Sequence, residues 1–311
     1  RKNTFLAMTS RRANIAVVGC TNIDIVAAPY GRYMPGEDLP GSVAISFGGV
    51  GRNIAHNLVL MGCEVTLVTV FGDDNLASRI KQDCARIGID TSHCAVVRDA
   101  ASSMFIAIND ENGELMSAIA AMDIADRITP DFIRPRMALL NTFDVVVIEA
   151  GIPTETIAYI LDNCTVPVFA DTVSMVKSSK IYNALDGTRH IHTLKMNRSE
   201  ALQLTGSDTL DFDATAALLH AKGVERVFIT LGAQGCYCHD RNGGLYMPCE
   251  KARVVSVTGA GDAFLSGALL AFCKGLDTEK TIKCALRAAA MTVASAEAVN
   301  PNMTEKYVLN E

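Results

Sequence analysis

This chain of 311 residues has no cluster of basic side chains; 28 lysines and arginines are scattered among 34 aspartates and glutamates, for a net charge of −6. A nucleic-acid surface built on basic patches is therefore not expected. Nor does any apolar run reach the roughly 18 residues that a membrane span requires. The stretch Phe5-Leu6-Ala7-Met8 is too short for the core of a secretion signal and carries no cleavage pattern. The expected protein is cytoplasmic, with residues 1–12 as an N-terminal tail ahead of the first strand. The six histidines show no metal-ligand spacing, His190 and His192 being an i,i+2 strand pair, and no Gly-x-Ser-x-Gly turn supports a serine hydrolase. Internal repeats, low-complexity tracts and interdomain linkers are missing as well.

Hydrophobic residues make up 49% of the chain and charged ones 20%, enough for a sizeable core in one α/β body with an appended element. The ten cysteines are dispersed, mostly within apolar stretches, as befits reduced, buried thiols. The one close pair, Cys236-Tyr237-Cys238, has neither zinc-knuckle nor thioredoxin spacing.

Apolar periodicity predicts strands at 14–20, 43–47, 64–70, 145–149, 166–170, 190–195 and 226–231. Helices are predicted at 53–61, 75–87, 154–163, 198–205 and 213–221, several of them stopped by a glycine. Strands alternating with helices imply a mostly parallel sheet covered on both faces. Two segments break this rhythm, 25–47 and 100–118, the second holding a hairpin pattern over 102–116. Together they predict a small separate sheet. A small-residue helix at 285–296 should pack closely on its neighbours.

The most informative segment is Val257-Thr258-Gly259-Ala260-Gly261-Asp262, between a strand-like 252–256 and an apolar helix from 263 to 273. Its glycines let backbone N–H groups approach a ligand, and the helix behind them directs its positive end at the same point. An anion belongs there, with Asp262 placed as a general base. That combination suits phosphoryl transfer.

Together with Gly48-Gly49-Val50-Gly51-Arg52-Asn53, this segment matches the two signatures of the ribokinase-like (PfkB) sugar kinases, which the chain resembles over nearly its whole length. Within that family, Asn22-Ile23-Asp24, the run at 48–55, Ala107-Ile108-Asn109-Asp110 and His192-Thr193-Leu194-Lys195 are most similar to the members that act on pseudouridine. The resemblance implies a three-layer α/β/α domain spanning 1–311, with a lid over the acceptor formed by about 25–47 and 100–118. It further implies transfer of the ATP γ-phosphoryl group to the 5′-hydroxyl of pseudouridine, and a homodimer formed through the lid. Rival readings are a ribose, ketohexose or N-nucleoside kinase and, from another class, a catalytically idle sugar or nucleoside sensor.

Residue by residue, Asp262 would be the base, and Gly259, Ala260 and Gly261 would supply the anion hole. Asn22, Asp24, Gly48, Gly49 and Asn53 would hold the ribose, though Asn53 equally suits a helix N-cap and Asp24 a solvated turn. Ser103, Asn109 and Asp123 are candidates for reading the base. Thr230, Gly232 and Gly235 match the nucleotide loop. Asn197 and Glu200 would organise Mg²⁺ and phosphates, yet the same spacing makes a capping box. The family's usual proline before Asn197 is Met196 here. Asp171 and Lys177 lie on the expected ligand edge, where a cap or surface ion pair explains them as well. Ser256 and Val257 replace the acidic residue and threonine common in the second signature, which weakens the case for a monovalent-cation site.

Overall fold

In the computed structural model, which describes residues 11–249 and 251–310, the strands in chain order are β1 (Asn14–Val18), β2 (Asn22–Pro29), β3 (Gly41–Gly48), β4 (Glu64–Val68), β5 (Val70–Phe71), β6 (Ala95–Val96), β7 (Met104–Asn109), β8 (Leu115–Ala121), β9 (Val145–Glu149), β10 (Val168–Asp171), β11 (Ile191–Asn197), β12 (Val224–Thr230), β13 (Cys236–Asp240) and β14 (Gly243–Met247). Residues 1–10 of the expected tail lie outside the described residues.

Eight strands form the central sheet in the order β14-β13-β12-β11-β10-β9-β1-β4. Pairing is parallel from β4 to β12, and β13 and β14 add an antiparallel hairpin at one edge. Successive side chains on a strand face opposite ways. In β1, Ile15 and Val17 accordingly join one buried cluster, and Ala16 and Val18 another. The first cluster is closed by the helices Val50–Leu60, Asn75–Ile87, Ala260–Cys273 and Thr278–Val293, the second by Thr154–Asn163, Met175–Ala184, Arg198–Thr205 and Phe212–Ala221. Helices on both faces explain why the strands read as continuous apolar runs.

The Ala260–Cys273 and Thr278–Val293 helices approach closely because Gly267 has no side chain; a Cβ there would lie 2.7 Å from the Cys284 carbonyl oxygen.

The small sheet has the order β3-β2-β7-β8. Its register puts Ile45, Ile25, Ile106 and Ile119 in one row across the four strands. On that face, Ile23 and Phe47 pack into the central core at the sheet's base, whereas Val43, Ile45 and Ile119 are 66%, 48% and 65% exposed further out. The opposite face carries Asn22, Asp24 and Val26.

Several boundaries differ from expectation. The helix expected at 53–61 begins at Val50, directly after Gly49 turns the chain at φ 95°, so Asn53 sits inside its first turn rather than at its cap. Segment 252–256 is no strand; it is tied by Val255 N–H to the Val293 carbonyl (2.7 Å) at a helix end rather than laddered into a sheet. The run 64–70 breaks at Thr69 into β4 and β5, and the helix expected at 285–296 occupies 278–293. Asp24, placed after a strand in the sequence reading, lies within β2. The hairpin β13/β14 and the Met175–Ala184 helix were not anticipated.

Candidate active site

Parallel pairing lines up the carboxyl ends of the central strands, and there the polar residues collect, as ligand sites do in open α/β sheets. Glu149 closes β9, in register with Asp171 at the end of β10, and Asp171 is paired with Lys195 of β11. Asn197 and Thr230 face each other across β11 and β12. Glu149, Asp171, Lys195 and Glu200 are almost fully buried.

Above this row the Ala260–Cys273 helix begins. Its cap residue Gly259 has φ 78°, and a Cβ there would come 1.8 Å from the Ala298 carbonyl oxygen, so both conformation and space demand glycine. No side chain caps this helix, and the N–H groups of a first turn have no partners within the helix itself. The Ala260 N–H turns back to the Val257 carbonyl at 3.3 Å. Beneath the turn, a Cβ on Gly261 would lie 2.6 Å from Lys195 Nζ, so the buried ammonium lies directly against the helix's first turn. Burial opposes the charge on Lys195, but the carboxylates of Asp171, Glu200 and Asp262 outweigh it and hold its pKa above the ordinary value.

Asp262 is 8% exposed and accepts one side-chain hydrogen bond, from Asn53 Nδ2 at 2.9 Å. Burial and the Asp171 charge push its pKa up to about 7, against the pull of Asn53 and Lys195. A carboxylate poised near neutrality is suited to accept a proton from an alcohol. The other amide atom, Asn53 Oδ1, is buried without a partner among the described residues.

The acceptor side of the cleft is closed by β2 and β3. Asn22 donates to Asp24, whose pKa is raised by burial and drawn back by that bond and by the charge of Arg52. The Asp24 carboxylate lies against Gly48, where an added Cβ would meet Oδ2 at 2.1 Å; at Gly49 it would meet the Cys20 carbonyl oxygen at 2.5 Å. A side chain at Gly48 would therefore displace the Asp24 carboxylate, and one at Gly49 would collide with the backbone that links β1 to β2. Arg52 secures the joint by donating to the Phe47 carbonyl (2.9 Å) and pairing with Asp83.

At the loop expected to meet the nucleotide, Thr230 ends β12 and Gly232–Gln234 forms a short 3-10 turn. Gly232 faces open space, whereas Gly235, at φ 102°, packs against the Met247 carbonyl oxygen. Asn197 and Glu200 form a complete capping box: Asn197 Oδ1 accepts from Glu200 N–H (2.9 Å) and Glu200 Oε2 from Asn197 N–H (2.7 Å). Thr172 Oγ1 (2.6 Å) and Asn197 Nδ2 (2.7 Å) also donate to Glu200. Magnesium takes oxygen ligands and keeps several waters. Asn197 and Glu200 are an oxygen donor set of that kind, but both Glu200 oxygens already have protein partners. They fit a role ordering water around the ion better than direct ligation. Among the described residues no three His, Cys, Asp or Glu side chains are grouped to hold a metal.

Across 209 residues of sequence, the Asn53–Asp262 bond joins the two glycine motifs. Of the remaining expected residues, Ser103 is buried at the foot of β7, Asp123 is exposed just past β8, and Asn109 lies four residues along β7 from Phe105, the residue level with Asp24. That is about 13 Å away along a strand. Asp171 does not pair with Lys177 but with Lys195, Nζ–Oδ2 3.1 Å. Glu149 went unremarked in the sequence. Its signal was a single acid ending the buried run Val-Val-Val-Ile-Glu, and it accepts from Cys20 N–H (2.7 Å) and Gly151 N–H (2.5 Å).

A buried carboxylate in the first turn of an uncapped helix, joined to the first glycine motif through Asn53, is an arrangement suited to phosphoryl transfer, and the architecture around it is that of the ribokinase-like kinases. A carbohydrate kinase from Agrobacterium tumefaciens superposes with a TM-score of 0.83 at 28% identity, covering 95% of both chains. A ribokinase of Arabidopsis thaliana, solved with ribose and ATP, has the same fold at a TM-score of 0.82 and 21% identity, over 96% of this chain and 98% of that one. The pattern of the pfkB family carbohydrate kinases matches residues 12–305, and the chain belongs to that family. Pseudouridine kinase of Escherichia coli K12 is 31% identical over 302 residues, 95% of each protein. The protein is thus an ATP-dependent phosphotransferase acting on a sugar or nucleoside. Among its described residues no helix is long and apolar enough to cross a membrane.

Proposed function

We propose that the protein transfers the γ-phosphoryl group of ATP to the 5′-hydroxyl of pseudouridine, giving pseudouridine 5′-phosphate. The observation that carries the kinase chemistry is the Asn53–Asp262 pair, a near-neutral carboxylate in the first turn of an uncapped helix beside an orphaned amide acceptor, and the likeness to a pseudouridine kinase supports the choice of acceptor. The substrate hydroxyl hydrogen-bonds into this pair and surrenders its proton to Asp262 as the new P–O bond forms. The first-turn N–H groups at Gly259 to Gly261, with Lys195 behind them, offset charge on the transferring group. Asn22, Asp24, Gly48, Gly49 and Asn53 orient the ribose, while Thr230, Gly232 and Gly235 hold the nucleotide. Mg²⁺, when bound, would neutralise phosphate charge near Asn197 and Glu200.

Residues 12–305 act in this reading as one kinase domain with its lid inserted. Ten free cysteines support a reducing, cytoplasmic setting. The open apolar face of the lid and its β3 and β8 edges support a homodimer through that sheet.

The acceptor is tested by ATP-consumption assays over pseudouridine, uridine, ribose and fructose, with the product identified. Pseudouridine should give the highest kcat/KM. More efficient phosphorylation of ribose or fructose would remove the pseudouridine assignment and leave a sugar kinase.

A further inference from the structure

Lys177 has no carboxylate partner among the described residues, and the contact its Nζ makes is to the thioether of Met122, at 3.9 Å. A thioether is a weak acceptor, so the ammonium of this half-buried lysine has no strong partner among the described residues. Its position in the fold is specific. Met122 follows β8 directly, and Ala121 is in register through Met104 with Ile23, so this is the foot of the lid next to Asn22 and Asp24. Lys177 itself lies in the first turn of the Met175–Ala184 helix, which starts from the carboxyl end of β10. The lysine therefore bridges lid and sheet edge on the β9 and β1 side, away from the β12 loop that faces the nucleotide.

Two further observations fix it there. Between Asp171 and the helix, Val173 is held at φ 64°, a left-handed conformation that a β-branched residue rarely adopts. Its N–H donates to Asp171 Oδ1 (2.7 Å), and Ser174 N–H to the Thr172 carbonyl (2.7 Å), so the strained turn that aims the helix is tied to the buried Asp171–Lys195 pair. On the other side, burial and Glu149 raise the Cys20 thiol pKa and the charges of Lys177 and Lys180 oppose the shift, in keeping with a helix that flanks the Gly151 loop after β9. Lys180 is engaged with the Gly151 carbonyl at 3.5 Å. Lys177 is the one left for a ligand.

We propose that Lys177 donates a hydrogen bond to a ring carbonyl oxygen of the acceptor's base, making it the residue that separates a carbonyl-bearing nucleoside from a bare sugar. The inference rests on the nucleoside-kinase reading above. A ribose whose 5′-hydroxyl meets Asp262 and whose other hydroxyls meet Asp24 directs its base along the foot of the lid, where Lys177 lies. Pseudouridine and uridine both carry ring carbonyls, so Lys177 favours nucleosides as a group and does not choose between those two.

The test compares the full-length protein with Lys177→Met and Lys177→Arg, by ADP release with pseudouridine, uridine and ribose, alongside melting curves. Loss of a charged donor should raise KM for both nucleosides about 10- to 100-fold in Lys177→Met, with kcat little changed and kcat/KM for ribose within about twofold. Lys177→Arg should recover part of the nucleoside KM. Equal losses for ribose and nucleosides, or none for either, would overturn the assignment while leaving the nucleoside-kinase reading in place. Failure of the unaltered protein to phosphorylate any nucleoside would instead sink the reading on which the assignment stands.

Discussion

Replacing Asp262 by asparagine should move activity and stability in opposite directions, and one proton accounts for both. Burial and the neighbouring Asp171 charge raise the Asp262 pKa to about 7. An aspartate in the unfolded chain titrates near ~3.9. Below about pH 4 the carboxyl is protonated in both states and contributes no difference. Between about pH 4 and 7 the folded protein keeps a proton that the unfolded chain releases, so this group makes stability fall as pH rises; above about pH 7 the full penalty of the buried charge applies, roughly 4 kcal/mol. Asparagine carries no such charge. Urea denaturation should therefore find Asp262→Asn gaining on the parent from pH 5 to pH 8.5, approaching about 4 kcal/mol at the upper end. Turnover should go the other way, falling ~10²–10⁴-fold as the base is lost, with acceptor KM little altered. The parent's kcat/KM should show an acid limb near pH 7 that the variant lacks. Near-normal kcat in the folded variant, or a stability difference independent of pH, would refute the reasoning.

Glu200→Gln should destabilise the fold by about 1–3 kcal/mol, because an amide NH₂ then faces the donors Thr172 and Asn197. It should also raise the magnesium concentration for half-maximal rate; an unchanged magnesium titration beside a lowered melting temperature would assign Glu200 to capping alone. Gly48→Ala places a Cβ 2.1 Å from Asp24 Oδ2 and must displace that carboxylate. Acceptor KM should rise about tenfold or more while ATP KM stays within about twofold, and equal effects on both would detach Asp24 from the acceptor. For the lid, sedimentation should find a dimer at micromolar protein and a monomer after Ile119→Lys, since Ile119 stands in the open apolar row. A fully active monomeric parent would dispose of the lid dimer.

What was legible in the sequence follows from the range of the forces involved. Buried parallel strands such as β1 and β9, and helices with a capping residue or a glycine stop such as Asn75–Ile87, announce themselves through local pattern, and the structure has them. Segment 252–256 has the same β-branched composition as a strand, but its Val255 and Ser256 N–H groups are taken by the Val293 carbonyl at a helix end, and pairing is a long-range property that composition does not fix. The start of the Val50–Leu60 helix was misplaced because Gly51 reads as a loop residue. Its lack of a side chain instead serves packing, a Cβ there coming 2.9 Å from Gly19 Cα. At the site, the two glycine motifs and Asp262 were evident, whereas the pairing of Asp171 with Lys195 rather than Lys177 was not. Sequence distance favours the nearer lysine, and the register of β10 and β11 decides for the other.

Four carboxylates, Glu149, Asp171, Glu200 and Asp262, are buried at the sheet edge around a single buried lysine, and they differ in how each is satisfied. Glu149 accepts two backbone N–H bonds, Asp171 has the Lys195 ammonium and the Val173 N–H, and Glu200 is held by its capping box and Thr172. Each of these three thus has at least two donors built around it. Asp262 receives one side-chain bond, from Asn53, and lies in the field of Asp171 as well as Lys195. It alone is held by so few donors that burial lifts it to neutrality. The other three, by fixing Lys195, the strained turn at Val173 and the Gly151 loop, hold the walls of the cleft around it. The proposed base is thus the carboxylate with the fewest donors, and it stands in the second glycine motif.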